Sequence, residues 1–415
     1  MCCVSAHFNS IGRAGDEKII MRLHLKIVVC VIATLCAESA FTQISSTQVD
    51  GSVLAAASSP VAYVYVSSTS ATNINQINAF AAAPNGKLTR VAGSPFSQDV
   101  QYLAANGTHL FGTNGTTIYA YAIAANGALR QVASIDAQGF NQSDCGGPIG
   151  LFLDPRGATL YDIDIYSDCA NNAYQFFGGG GGSTGGLSYR GTTAASSPEF
   201  IAPLSFTGNN RYAYGASCYH FSAMIYGFAR GSDGVLTLLN INPPLPAAKN
   251  GDFYCTYLAA ADTANHLAIP VQPLSGYSWQ QVGPFQLATY TADSSGNLST
   301  NSTYANMPAT AVTNATGNFL TDISASPTGK LLAVAGKGGV QVFHFNGANP
   351  ITHYTGLLST EEIDHVFWDH DNHLYAISQS AGKLFVFTVT PTHYNQAPGS
   401  PHAITNPGNI AVSPR

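Results

Sequence analysis

Apolar residues in this chain come in short runs of four or five, bounded by Gly, Asn, Asp and Pro, and no stretch holds a 3.6-residue period long enough for an amphipathic helix. The runs recur. Ala62–Val66, His109–Gly112, Leu160–Ile163, Tyr212–Tyr214, His266–Ile269, Leu331–Val334 and His373–Ile377 read as equivalent strands. Each is followed by a second run ending on an aromatic, at Phe80, Tyr121, Phe177, Phe228, Tyr290, Phe345 and Phe387. Glycine turns such as Asn85-Gly86, Asn126-Gly127, Asp233-Gly234 and Ser295-Gly296 then lead into a further strand. Asn-Gly and Asp-Gly tolerate the positive φ of a two-residue hairpin, which is the turn expected here.

A unit recurring every roughly 40 to 60 residues, built from short strands, predicts an all-β chain: a seven-bladed β-propeller of four-stranded antiparallel blades. Its closure is also readable. Asn409-Ile-Ala-Val-Ser-Pro414 matches Gly150-Leu-Phe-Leu-Asp-Pro155 and Asp322-Ile-Ser-Ala-Ser-Pro327, which begin the third and sixth repeats, yet only Arg415 follows it. The first repeat lacks this strand. The C-terminal strand is therefore expected to complete the first blade, which removes the exposed edges of an open sheet.

Composition narrows the class. Charged residues are 9% of the 415, with 41 Gly, 21 Tyr and 21 Phe, which excludes a coiled coil, a charged helical bundle and a disordered tail. The net charge is −6, from 16 Lys plus Arg against 22 Asp plus Glu, so nucleic acid is not an expected partner.

At the N-terminus, Arg22 and Lys26 precede an apolar run from Ile27 to Leu35, and Ala37, Ser39 and Ala40 follow. This is the order of a secretory signal peptide. The expected organisation is a signal peptide over 1–40 with Met21 as the true start, a linker over 41–61 and the propeller over 62–415. The chain is read as periplasmic or secreted, monomeric, and without a stable membrane span once the leader is gone.

Blade topology places every loop on one of two faces. Loops between second and third strands, and loops between blades, share the face where propellers commonly take ligands. Cys145, Cys169, Cys218 and Cys255 all fall there, in two neighbouring pairs, which predicts disulfides Cys145 to Cys169 and Cys218 to Cys255. No metal site is expected, since the cysteines lack C-x-x-C spacing, and no cofactor is expected.

On Tyr63-Val-Tyr-Val-Ser-Ser68, Ile77-Asn-Ala-Phe80 and Asn85-Gly-Lys-Leu-Thr-Arg-Val-Ala-Gly-Ser-Pro-Phe96, repeated loosely from Ala62 to Pro414, the chain resembles the seven-bladed lactonase-like propellers. That family includes the propeller-type 6-phosphogluconolactonases and the muconate-lactonising enzymes. The resemblance implies a hydrolase opening a lactone ring. The binding-face loops hold no arginine by this assignment, so a neutral or cationic sugar-type lactone fits better than a phosphorylated or tricarboxylate one.

Acid and base work is assigned to His220, Glu362 and His365, from the titratable run Glu361-Glu362-Ile-Asp364-His365 and from the histidine that follows Cys218-Tyr219. Tyr219, Asp168, Asp252, Tyr254, Trp279, Glu361 and Asp364 are the expected ligand contacts. The alternative is a non-catalytic propeller whose acidic, aromatic face binds a glycan, a peptide or an envelope protein. Two tempting motifs carry no chemistry. Gly181-Gly-Ser183-Thr-Gly185 lacks the strand and helix of a nucleophile elbow, and Asp369-His-Asp-Asn-His373 replaces a Pro-x-Gly turn.

Overall fold

Seven antiparallel sheets make up the protein in a computed structural model that describes residues 59–137, 148–164, 172–177, 186–193, 203–219, 222–249, 251–276, 280–313 and 320–415. Each sheet is a blade, and in all but the first the strands run from the inside out in chain order, as in the sixth: Leu320–Ala325, Leu331–Gly336, Gly339–His344 and Thr352–Ser359. No helix occurs among the described residues.

The first blade closes as expected. Its inner strand is the C-terminal Pro407–Pro414, paired antiparallel with Ala62–Thr69 in the register Ala62 to Pro414 and Val66 to Ile410. The Arg415 N–H donates to the Val61 carbonyl at 2.8 Å, extending the zip by one residue. A bulge at Ser67 interrupts it. The Ser67 hydroxyl accepts from the Asn409 N–H at 2.8 Å and donates to the Gln101 carbonyl at 2.5 Å, joining the seam to the second blade.

Period-two side chains face alternate neighbours. From Ala62–Thr69, Val64 and Val66 pack with Tyr375, Ile377 and Val386 of the seventh blade, while Tyr65 packs with Leu103, Leu110 and Tyr121 of the second. Second-strand tyrosines also bond forward into the next blade's glycine turn. Tyr65 donates to the Gly127 carbonyl at 2.9 Å, Tyr161 to Gly234 at 2.6 Å and Tyr214 to Gly296 at 2.8 Å. Burial pushes the Tyr161 hydroxyl up to about 12, so it remains a donor at any ordinary pH.

The glycine turns differ in type from the expected two-residue hairpin. Gly86, Gly127, Gly234 and Gly296 have φ of 77°, 83°, 91° and 85°, but the preceding Asn, Asp or Ser is not left-handed. Each glycine N–H bonds the carbonyl three residues back, as Gly127 does to Ala124 at 2.9 Å. These are three-residue loops closed by a glycine bulge, since the flanking residues, as Ala124 and Ala128, bond each other. The side chain before the glycine caps the turn instead, Asn126 accepting from the Ala128 N–H at 3.2 Å.

Candidate functional site

A channel of about 1000 Å³ runs through the molecule, lined by the inner strands of all seven blades. One inner-strand position per blade sets its binding-face mouth. Counting back four residues from the residue that closes each turn between first and second strands gives Tyr102, Gly150, Pro203, Leu258, Asp322, His365 and Asn409. All but Tyr102 line the channel. The ring is divided: small or apolar residues on the third, fourth and fifth blades, polar ones on the sixth, seventh, first and second.

On the polar side Asp322 and His365 face each other across a blade boundary, with carboxylate Oδ2 3.8 Å from imidazole Nδ1 and side chains 27% and 34% exposed. Asp322 is immobilised. Its Oδ1 accepts from the Ile323 N–H at 2.8 Å and its Oδ2 from the Val366 N–H at 2.9 Å. Asn409 on the next blade accepts from the Leu103 N–H at 3.0 Å through Oδ1, which leaves its amide nitrogen as the outward donor.

A second, polar cleft of about 340 Å³ meets the channel here. It shares His365 and Asn409, and the rest of its wall is mostly hydroxyls and amides, among them Ser67, Thr69, Asn75, Gln101 and Gln379, with Val100 and Pro407 between them. Two of those amides are themselves held. Gln379 donates to the Gly408 carbonyl at 2.8 Å and Asn75 to Asp99 at 2.8 Å, and the hydrogen bonds from Asn75 and Asn114 hold the Asp99 carboxyl below its ordinary range. Among the described residues no lysine or arginine lines the cleft, and the one arginine or lysine on the channel wall, Arg156, belongs to the opposite mouth.

Of the expected site residues, His365 lies at this junction. Asp364 is beside it, but its Oδ2 accepts from the Gln379 N–H at 2.7 Å, so it braces the cleft wall. Glu361 pairs with Lys383 at 2.6 Å on the surface, and neither it nor Glu362 lines a cavity. Asp252 is half-buried and remote from both cavities. Tyr254 requires correction: it is 2% exposed, packs in the core between the fourth and fifth blades and donates to Gln286 Oε1 at 3.0 Å, so it is a structural residue and not a ligand contact. Its strand alternates inward at that position. His220, Asp168, Trp279, Cys145 and Cys169 lie outside the described residues, as does the side chain of Tyr219. Cys218 and Cys255 form the expected disulfide, with Cα atoms 5.1 Å apart, tying the fourth blade's second strand to the fifth blade's inner strand.

Asp322 and Asn409 were not singled out from the sequence, although the signal was present. Both hold the same place in the matching segments Asp322–Pro327 and Asn409–Pro414, and adding His365–Asp369 to that alignment puts all three in one ring. Asp369 and His373 serve as turn residues. The Asp369 carboxylate accepts from the N–H groups of Asp371 and His373, from Tyr375 at 2.8 Å, and meets His373 Nδ1 at 2.6 Å. Among the described residues no three His, Cys, Asp or Glu side chains cluster as a metal site, and no helix is long and apolar enough to cross a membrane.

Seven antiparallel blades around a channel define a seven-bladed β-propeller. Solved structures share this fold, lactonase-like propellers among them. A protein from Lactobacillus plantarum is 12% identical at a TM-score of 0.59, covering 85% of this chain and 99% of that one. A protein from Bacteroides fragilis named as a 6-phosphogluconolactonase is 14% identical at 0.58, covering 86% and 99%. The periplasmic gluconolactonase of Pseudomonas aeruginosa is 13% identical at 0.56, covering 85% and 98%. Identity this low establishes fold and not activity. No family model matches the chain, and no curated protein matches its sequence.

Proposed function

We propose that the protein is an exported lactonase that opens a neutral, hydroxylated lactone at the polar half of the channel mouth. The observation that carries this is the Asp322–His365 pair, a carboxylate fixed by two backbone N–H groups beside an imidazole that borders both cavities. With Nδ1 turned toward Asp322, Nε2 addresses the ligand. It takes a proton from water as the water attacks the lactone carbonyl, and Asp322 stabilises the imidazolium that forms. The same proton then passes to the ring oxygen as the C–O bond breaks, giving a hydroxy acid. The free amide nitrogen of Asn409 is placed to donate to the carbonyl oxygen as it gains charge.

The hydroxyl and amide wall of the cleft suits a polyol, and the lack of cations there argues against a phosphorylated one. Export is supported by the leader-like N-terminus, by the Cys218–Cys255 disulfide and by the periplasmic neighbour from Pseudomonas aeruginosa. The test is a pH-stat assay of the purified protein over a panel of aldonolactones. His365→Ala is expected to lower kcat by about 10² to 10⁴-fold and Asp322→Asn by a smaller factor, both with little change in KM. Rates no faster than buffer across the panel reject the enzyme. Full activity in His365→Ala rejects the residue assignment. The alternative, a glycan-binding propeller without catalysis, is favoured by the 3.8 Å separation of the pair and predicts saturable binding with no turnover.

A further inference from the structure

The inner wall below the proposed lactone site has a different chemistry from its rim. Two residues beyond His365 on the same face of its strand, Phe367 is 37% exposed although it belongs to an innermost strand, and it lines the channel. The channel's other large aromatics are held by neighbours: Phe152 stacks on Tyr161 at 5.0 Å and lies 6.3 Å from Phe206. Among the described residues Phe367 stands in no such cluster. At the rim, two blades away in the fifth blade's place of the mouth ring, Leu258 sits in the left-handed region at φ 53°, between the segments Phe253–Thr256 and Ala260–Ala261. Its N–H is tied to the Ala216 carbonyl of the fourth blade at 3.0 Å, and the residue borders the channel mouth while packing against the core shared by the fifth and sixth blades. A leucine pays for that backbone only where the surroundings impose it, and such strain gathers at ligand-binding positions.

We infer that the ligand is amphiphilic: its lactone head lies in the polar cleft at His365 while an apolar substituent crosses the apolar arc of the rim at Leu258 and descends the channel along Phe367. The inference rests on the reading of the mouth as the lactone site. Four residues of strand separate the mouth ring from the turn at the far end, a depth of about 13 Å, enough for a medium-length alkyl chain. A bare sugar lactone would leave that apolar wall in water. Withdrawing it under an alkyl chain contributes affinity that the hydroxylated rim cannot provide.

The probes are δ-valerolactam and its 6-heptyl derivative, inert analogues of the unsubstituted and alkyl-bearing lactones, titrated calorimetrically into the full-length protein. The heptyl lactam is expected to bind at least about tenfold more tightly. Phe367→Ser should cut that preference below about threefold, and Phe367→Leu should retain it. Phe367 is exposed to the channel, so neither change is expected to unfold the protein, which a thermal melt checks. Equal affinity for the two lactams, or a preference that survives Phe367→Ser, overturns the inference. The matching pair of lactones, assayed for hydrolysis, separates it from the catalytic reading. Alkyl preference in binding without turnover removes His365 as a base and keeps the channel's occupant. Turnover without preference does the reverse.

Discussion

Asp322 and His365 belong to different blades and are 43 positions apart in sequence, so each looks like an ordinary strand-end residue until its neighbour is known. His365 was legible because it closes a run of titratable groups. The rest of that run was misleading, since charge density also marks a solvated loop, and Glu361 with Lys383 is one. Tyr254 shows the opposite error. Its place at a blade entrance suggested a loop contact, but the strand begins one residue earlier and its period turns the ring inward. Glycine at the turns is more reliable. Gly127 has φ 83°, and a Cβ there would meet the Tyr63 ring at 2.5 Å. Gly127→Ala is expected to cost about 2 to 3 kcal/mol in urea unfolding, as the sum of backbone strain and overpacking. Unchanged stability would show that the turn relaxes freely.

At the scale of the element, the inner-strand turns of the second, third, fifth and seventh blades share one device: an Asp or Asn whose carboxyl or amide oxygen caps the N–H groups that follow. Asp154, Asp262 and Asp369 each do so, and Asp262 and Asp369 also engage the histidine that opens the next strand, at 2.6 Å in both. In the seventh blade this group is fully buried, and Asp369 pulls in two directions. Burial raises its carboxyl, but hydrogen bonds and the charge of His373 outweigh that and hold it below its ordinary value. An unfolded aspartate, at about 3.9, then binds its proton before the folded one does as pH falls. Its contribution to stability is present above about pH 4 and is lost below it. Urea midpoints should therefore fall steeply between about pH 5 and 3 in the wild type and less steeply in Asp369→Asn, which has no such carboxyl. Parallel profiles would assign the acid sensitivity elsewhere.

At the scale of the molecule, stability depends on keeping neighbouring blades together. Cys218 and Cys255, 37 residues apart, bridge the fourth blade to the fifth. In the chain-entropy picture reduction or Cys218→Ser costs about 4 kcal/mol, because the unfolded chain regains the loop's freedom. Comparing urea midpoints with and without reductant measures this, and a shift near zero would show that strain or residual structure cancels the gain. Closure by Pro407–Pro414 acts in the same direction, sealing two edges that would otherwise recruit other chains.

Strand period, turn chemistry and repeat are local properties, and each is repeated often enough that errors at single positions do not alter the count. For that reason the amino-acid order alone determined the number of blades, the seam at the termini, and the pairing of Cys218 with Cys255. The mouth of the channel is different in kind. Its ring takes one residue from each of seven strands, so its division into a polar arc at Asp322, His365 and Asn409 and an apolar arc at Gly150, Pro203 and Leu258 came into view only when the tertiary structure set all seven registers against one another.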